Sequence, residues 1–105
     1  MIAKVNFSIK LKTEKNIYKI KLFDVDLFKD DLLKEISITN SGSYEFLFAM
    51  GDTGEFRPEL QIRVFNASDL EIYRSEINKE LNSLNIDKNT GRIEKTTVNF
   101  NSIEL

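Results

Sequence analysis

Four aspartates lie within eight residues and are the densest group of side chains that could do chemistry. They are Asp24, Asp26, Asp30 and Asp31. Closely spaced carboxylates supply the hard oxygen ligands that Ca²⁺ prefers, and a facing loop with Asp52 and Glu55 could complete a shell of six to eight oxygens. The spacing is not that of an EF-hand. Alternatively, the aspartates solvate and cap a turn, or pair with Lys29 and Lys34.

Other kinds of site chemistry are restricted by composition. The chain has no Cys and no His, which excludes thiolate chemistry, Cys/His zinc sites and histidine proton transfer. The serines have no neighbouring base that spacing supports. Two carboxylates could hydrolyse a glycoside only across a cleft, and nothing in the sequence indicates one. We therefore expect no enzyme and no cofactor other than calcium.

Two phenylalanines, Phe28 and Phe56, lie in predicted loops. Either could be an exposed anchor for a protein partner, or could fold back to close an open end of the core. A further group of aromatic residues could form a platform for carbohydrate: Tyr44, Phe46, Phe48, Phe56 and Phe65. Their alternating spacing instead favours a place in the core between two sheets.

Alternation of apolar and polar residues predicts about seven short β-strands. They cover residues 5–12, 18–22, 32–39, 44–48, 60–66, 70–75 and 93–100. Residues 24–31 are predicted to be an acidic loop. Residues 76–84 are either a short helix, from the spacing of Ile77, Leu81 and Leu84, or part of a long polar loop. The pattern predicts an all-β fold, an antiparallel two-sheet sandwich that forms a single domain over residues 1–105.

Length and charge limit the partners. The 105 residues carry a net charge of -2, which gives no electrostatic reason to expect nucleic acid or anionic membrane. No apolar run is long enough to span a membrane. The N-terminus does not resemble a signal peptide, so we expect a cytoplasmic protein or export by a signal-independent route.

Several segments resemble the transthyretin-like (prealbumin-like) sandwich domains of bacterial and nematode proteins. The matching residues are Asp24 and Asp26, Asp30 to Leu33, Thr39 to Tyr44, Pro58 to Val64 and Ile72 to Ser75. The resemblance spans about Lys19 to Ile77 and extends to small domains within large toxin-associated bacterial proteins. It implies a sandwich fold in a group that includes carriers, adhesive modules and spacers. The hydrolase relatives need a His that this chain lacks, so no activity is implied.

These observations lead to three functional hypotheses. The first is a non-enzymatic protein-interaction or structural module, in a secreted or toxin-associated bacterial assembly. The second is a calcium-dependent or carbohydrate-binding C2-like sandwich that uses residues 24–31. The third is a homo-oligomer formed through an edge strand, for which Thr96 to Phe100 is the candidate because no Lys follows Lys95 to protect it.

Overall fold

Eight β-strands make up the regular structure of the part that the computed structural model describes, which is residues 2–49, 58–81 and 97–105. In chain order they are β1 (Ile2–Lys10), β2 (Tyr18–Val25), β3 (Asp30–Ile38), β4 (Gly42–Ala49), β5 (Leu60–Phe65), β6 (Glu71–Arg74), β7 (Thr97–Asn99) and β8 (Ile103–Glu104). The prediction of an all-β sandwich is confirmed. The two-residue β8 is the element that the sequence pattern did not indicate.

The strands form two sheets of four. In sheet 1 the order is β4-β1-β7, with β8 also paired to β1, and in sheet 2 it is β3-β2-β5-β6. Sheet 2 is antiparallel throughout, and so is the β1–β4 pair. Both β7 and β8 run parallel to β1, unlike the uniformly antiparallel arrangement that was predicted. Parallel neighbours cannot be joined by a tight hairpin, and here β2 to β6 lie between β1 and β7 in the chain.

The core lies between the two sheets and follows the alternation of the sequence. From sheet 1 it takes one face of β1, β4 and β7, and from sheet 2 one face of β2 and β5. Its fully buried members include Ala3, Val5, Ile20, Leu22, Leu60, Ile62, Val64 and Val98. The ring of Phe7 stacks on that of Phe46, with centroids 5.1 Å apart. Phe46 and Phe48 of β4 are buried in the core, and the partly buried Tyr44 packs against it. Full burial of such a side chain contributes about 1.5–3 kcal/mol.

The segment after β6 is not helical where it is described. Asn78 and Leu60 exchange two backbone hydrogen bonds, with N···O distances of 2.9 and 2.7 Å. Asn78 therefore pairs with β5 as an isolated bridge. Leu81 is buried but Ile77 is exposed, which breaks the apolar stripe that the helix required. Residues 82–84 of the proposed helix and residues 93–96 of the last predicted strand lie outside the described residues.

Within the described ranges, no helical segment has the length and apolar character needed to cross a bilayer.

Candidate interaction site at the β2–β3 hairpin

The acidic segment is the end of a hairpin, and it contains a much shorter loop than predicted. Asp24 pairs with Asp31, and Val25 pairs with Asp30, so both strands continue into the proposed loop. The residues between the strands are 26–29, and we call them the hairpin tip. The predicted loop over 24–31 is therefore wrong at both ends. Aspartate has a low strand propensity, but cross-strand pairing in a sheet outweighs that local preference.

Two adjacent apolar side chains project from the hairpin tip. Leu27 is 92% exposed and Phe28 is 96% exposed. The backbone N–H of Leu27 donates to Asp26 Oδ1 at 2.6 Å, which ties the start of the tip to its own side chain. Phe28 does not fold back over the core, so the first of its two predicted alternatives describes its position. The apolar surface of both residues is available to a binding partner.

The hairpin is anchored to the outer face of sheet 2 through Asp30. Arg63 Nη2 donates to Asp30 Oδ2 at 2.6 Å, and this bond joins the first residue of β3 to the central strand β5. The Arg63 guanidinium is the main cause that lowers the pKa of the Asp30 carboxyl. Because the anchor lies one residue beyond the hairpin tip, it limits rotation of the tip about the sheet.

Arg63 itself is only 7% exposed although it lies on the face of sheet 2 away from the core. Its guanidinium stacks over the ring of Phe23, 4.2 Å from the centroid. Its Nε donates to Gln61 Oε1 at 2.9 Å, and Glu71 Oε1 lies 4.0 Å from the same nitrogen. Planar stacking together with several hydrogen bonds is the environment that suits an arginine in a buried position. Sequence reasoning missed this group because its members come from four strands.

Asp24 and Asp31 form a pair of carboxylates on the face of the hairpin opposite to Asp30. Register places Asp24 beside Leu60, at the end of the core-facing row of β2, where it is half-buried. Asp24 Oδ1 accepts a hydrogen bond from the backbone N–H of Glu59 at 3.1 Å. Burial raises the pKa of Asp24; the Glu59 N–H opposes this, and the nearby charge of Asp31 adds to the increase. Lys29 Nζ lies 3.7 Å from Asp31.

The four aspartates are therefore divided among different partners. Asp30 faces Arg63, Asp24 and Asp31 face each other across the strands, and Asp26 caps the tip. Among the described residues, no three acidic side chains lie close enough together to hold a metal ion. Asp52 and Glu55, the proposed ligands from a facing loop, lie outside the described residues, as does Phe56. Calcium binding stays a prediction.

A shallow depression of about 490 Å³ lies on sheet 1, away from the hairpin. It is lined in part by Asn6, Ser8, Glu45 and Asn99. Asn6 Nδ2 donates to Asn99 Oδ1 at 3.1 Å, so two of its polar groups already bind each other. The hairpin tip, with two exposed apolar side chains next to the Asp30–Arg63 contact, is therefore the stronger candidate for an interaction site.

Comparison with known proteins gives a likeness of fold. No protein-family model matches the chain, and no curated protein sequence matches it either. A crystal structure of a 9R-lipoxygenase from Cyanothece PCC8801 is similar over 99% of this chain, with a TM-score of 0.50 and 17% sequence identity. The chain spans 16% of the length of that lipoxygenase chain. The chain is thus a β-sandwich that resembles one portion of a much larger protein.

Proposed function

We propose that this β-sandwich is a non-enzymatic interaction module that inserts its hairpin tip into an apolar pocket of a protein partner. The observation that carries the proposal is the near-complete exposure of Leu27 and Phe28 on an anchored hairpin. Buried aromatic and aliphatic anchors supply most of the binding energy in protein interfaces. An anchor on a pre-ordered hairpin loses less conformational entropy on binding than one on a free loop.

The charges around the tip support a protein pocket as the binding partner. Asp26 and Lys29 flank the apolar pair, and Asp30 and Asp31 follow on β3. This arrangement gives an apolar centre with a charged rim, as interfaces commonly have. The excess of carboxylates does not favour an anionic bilayer surface, which attracts clustered Lys and Arg.

We also propose that the module is not catalytic. The chain lacks His and Cys, and the two buried polar side chains at the site, Gln61 and Arg63, are occupied with each other and with β3. The likeness to a portion of a larger protein supports a role as one module of a larger assembly. We further propose that the module is related to transthyretin-like domains and that it acts in a secreted or toxin-associated bacterial assembly.

A quantitative capture experiment tests the tip. The wild-type domain, a Leu27→Ser/Phe28→Ser variant and a Leu70→Ser control are immobilised at equal density and exposed to an extract of the cells that make the protein. Leu70 is an exposed leucine in the β5–β6 turn, so the control removes apolar surface elsewhere. We expect a partner that wild type and control retain and the tip variant loses by about tenfold or more. Equal retention by all three would refute docking through the tip.

A second candidate function is calcium binding at the opposed pair of Asp24 and Asp31. Two facing carboxylates, one of them half-buried, repel each other, and a divalent cation would relieve that repulsion. The direct cross-strand pairing of Asp24 with Asp31 is the observation that favours it. Calorimetric titration of the domain with Ca²⁺ tests it directly, and a titration without heat at millimolar metal would remove it.

A further inference from the structure

The edges of the two sheets differ in how well they are protected against pairing with another strand. In sheet 2, β3 carries four charged residues and an irregularity in its register, and β6 is four residues long with a register shift of its own. In sheet 1, β7 and β8 have three and two residues. The remaining edge, β4, has eight residues, one charge, no Pro and no irregularity. Charges, bulges and short length are the usual protection of edge strands, and of these β4 has only the single charge of Glu45.

The direction of the β4 backbone groups follows from the hydrogen bonds of β1. The carbonyl of Asn6 accepts from the N–H of Phe100, and that of Lys10 accepts from the N–H of Leu105. The even-numbered residues of β1 therefore point toward β7 and β8. Because backbone groups alternate in direction along a strand, the odd-numbered residues point toward β4.

The same alternation fixes which residues of β4 point outward. Val5 pairs with Phe46 and Phe7 pairs with Tyr44, so the even-numbered residues of β4 bind β1. The N–H and C=O groups of the odd-numbered residues point away from the sheet. These are Ser43, Glu45, Leu47 and Ala49. No described strand pairs with that edge.

We propose that β4 pairs with β4 of a second copy of this chain, antiparallel and about a two-fold axis at Phe46. This register places Glu45 opposite Leu47 of the second copy and Ser43 opposite Ala49, so all four outward-pointing residues are used. A register centred on Glu45 would place two carboxylates opposite each other, which is unfavourable. A register centred on Leu47 would leave Ser43 without a partner within β4. A self-complementary edge of this kind gives a closed dimer and one continuous sheet.

The side chains of β4 are consistent with this arrangement. Leu47 is 47% exposed on the solvent face of sheet 1, and in the dimer the aliphatic stem of Glu45 from the second copy would lie beside it. Lys4 Nζ is 3.3 Å from Glu45 on the same face, so the carboxylate keeps its counterion. The proposal is independent of the hairpin tip, which belongs to the other sheet.

Sedimentation velocity over a range of concentrations tests the dimer. We expect wild type to move from monomer to dimer as concentration rises, and Leu47→Lys to remain monomeric with an unchanged circular dichroism spectrum. Ile72→Lys is the matched control, because Ile72 is an exposed apolar residue on the edge strand β6, and it should dimerise like wild type. A second variant, Glu45→Pro, removes one outward N–H and no backbone hydrogen bond to β1, and should also be monomeric. Wild type that stays monomeric at all concentrations, or Leu47→Lys that dimerises like wild type, would overturn the proposal.

Cysteine cross-linking tests the register, since the chain has no Cys of its own. An oxidised mixture of Glu45→Cys and Leu47→Cys proteins should form a disulfide-linked heterodimer, and neither variant alone should cross-link efficiently. Preferential cross-linking of Leu47→Cys with itself would overturn the axis at Phe46.

Discussion

Arg63 and Asp30 are joined by a 2.6 Å bond between Nη2 and Oδ2, across 33 positions of sequence. The arginine is almost fully buried and the aspartate is half-exposed. Because Asp30 begins β3, this contact connects the centre of sheet 2 to the base of the hairpin that presents Leu27 and Phe28. The Arg63–Asp30 contact therefore holds the base of the hairpin tip in a fixed position on sheet 2.

Asp30→Asn should lower stability at neutral pH. The Arg63 guanidinium lowers the pKa of Asp30 in the folded protein, so the stabilisation is complete above the pKa of the unfolded chain. It is lost as pH falls through the lower, folded-state pKa. We expect the difference in melting temperature between wild type and variant to shrink in acid. A difference that stays constant from neutral to acid pH would contradict the ionic origin.

Asp24→Asn should have the opposite effect on stability at neutral pH to that of Asp30→Asn. Burial is the main cause that raises the pKa of Asp24 in the folded protein, so its contribution is favourable below the unfolded pKa and is lost as pH rises through the folded pKa. The amide oxygen of Asn can still accept from the Glu59 N–H. Thermal melts at neutral pH should show a small gain in stability, and a clear loss would show that the carboxylate has a stabilising partner.

Phe46→Ala should destabilise the fold by about 3–5 kcal/mol, because it removes a buried ring and leaves a cavity. The neighbouring change Leu47→Ala, on the solvent face, should cost within about 0.5 kcal/mol in the monomer. Urea unfolding at low protein concentration measures both. Similar costs for the two variants would mean that the inward and outward rows of β4 are not as described.

The Leu27→Ser/Phe28→Ser variant should fold as stably as wild type. Both side chains are exposed to water in the folded protein, so their removal should change the free energy of unfolding by no more than about 0.5 kcal/mol for each. Chemical denaturation checks this. A large loss of stability would indicate that the tip packs on the domain, and would remove the case for an external partner.

Calcium, if it binds at Asp24 and Asp31, should raise the melting temperature. A ligand at 100 times its Kd adds about 2.7 kcal/mol, which shifts the melting of a small domain by several degrees. The shift should disappear with EDTA and in an Asp24→Asn/Asp31→Asn variant. A Lys29→Ala variant, which removes a cation next to Asp31, should keep it.

The local pattern of the sequence was enough to predict much of the fold. Alternation located the strands around Phe7, Ile20, Phe46 and Ile62, because each has an apolar row on the core and polar residues on the opposite face. It could not predict that β1 lies between β4 and β7, because strand order depends on which distant segments pair. The helical spacing was misleading over the described residues, where the segment is not helical and Ile77 is exposed while Leu81 is buried.

At the site, residue type was more informative than spacing. The acidic residues marked the hairpin, but their strand pairing separated Asp30 from Asp24 and placed them on different faces. Arg63 gave no local signal of burial, because its neighbours Phe23 and Asp30 come from other strands. Phe28 was singled out because it lies in a predicted loop, where it could be exposed or fold back over the core, and the structure shows that it is exposed.

The most direct measurement is photo-cross-linking from the hairpin tip. The domain would be made in its own cells with a photoreactive phenylalanine at position 28, and separately at position 70, an exposed apolar position in the β5–β6 turn, as a control. We predict that position 28 gives a discrete cross-linked product with a protein partner, absent at position 70 and reduced by the additional change Leu27→Ser. No specific product at position 28, or the same products at both positions, would contradict the claim that the hairpin tip is a docking element.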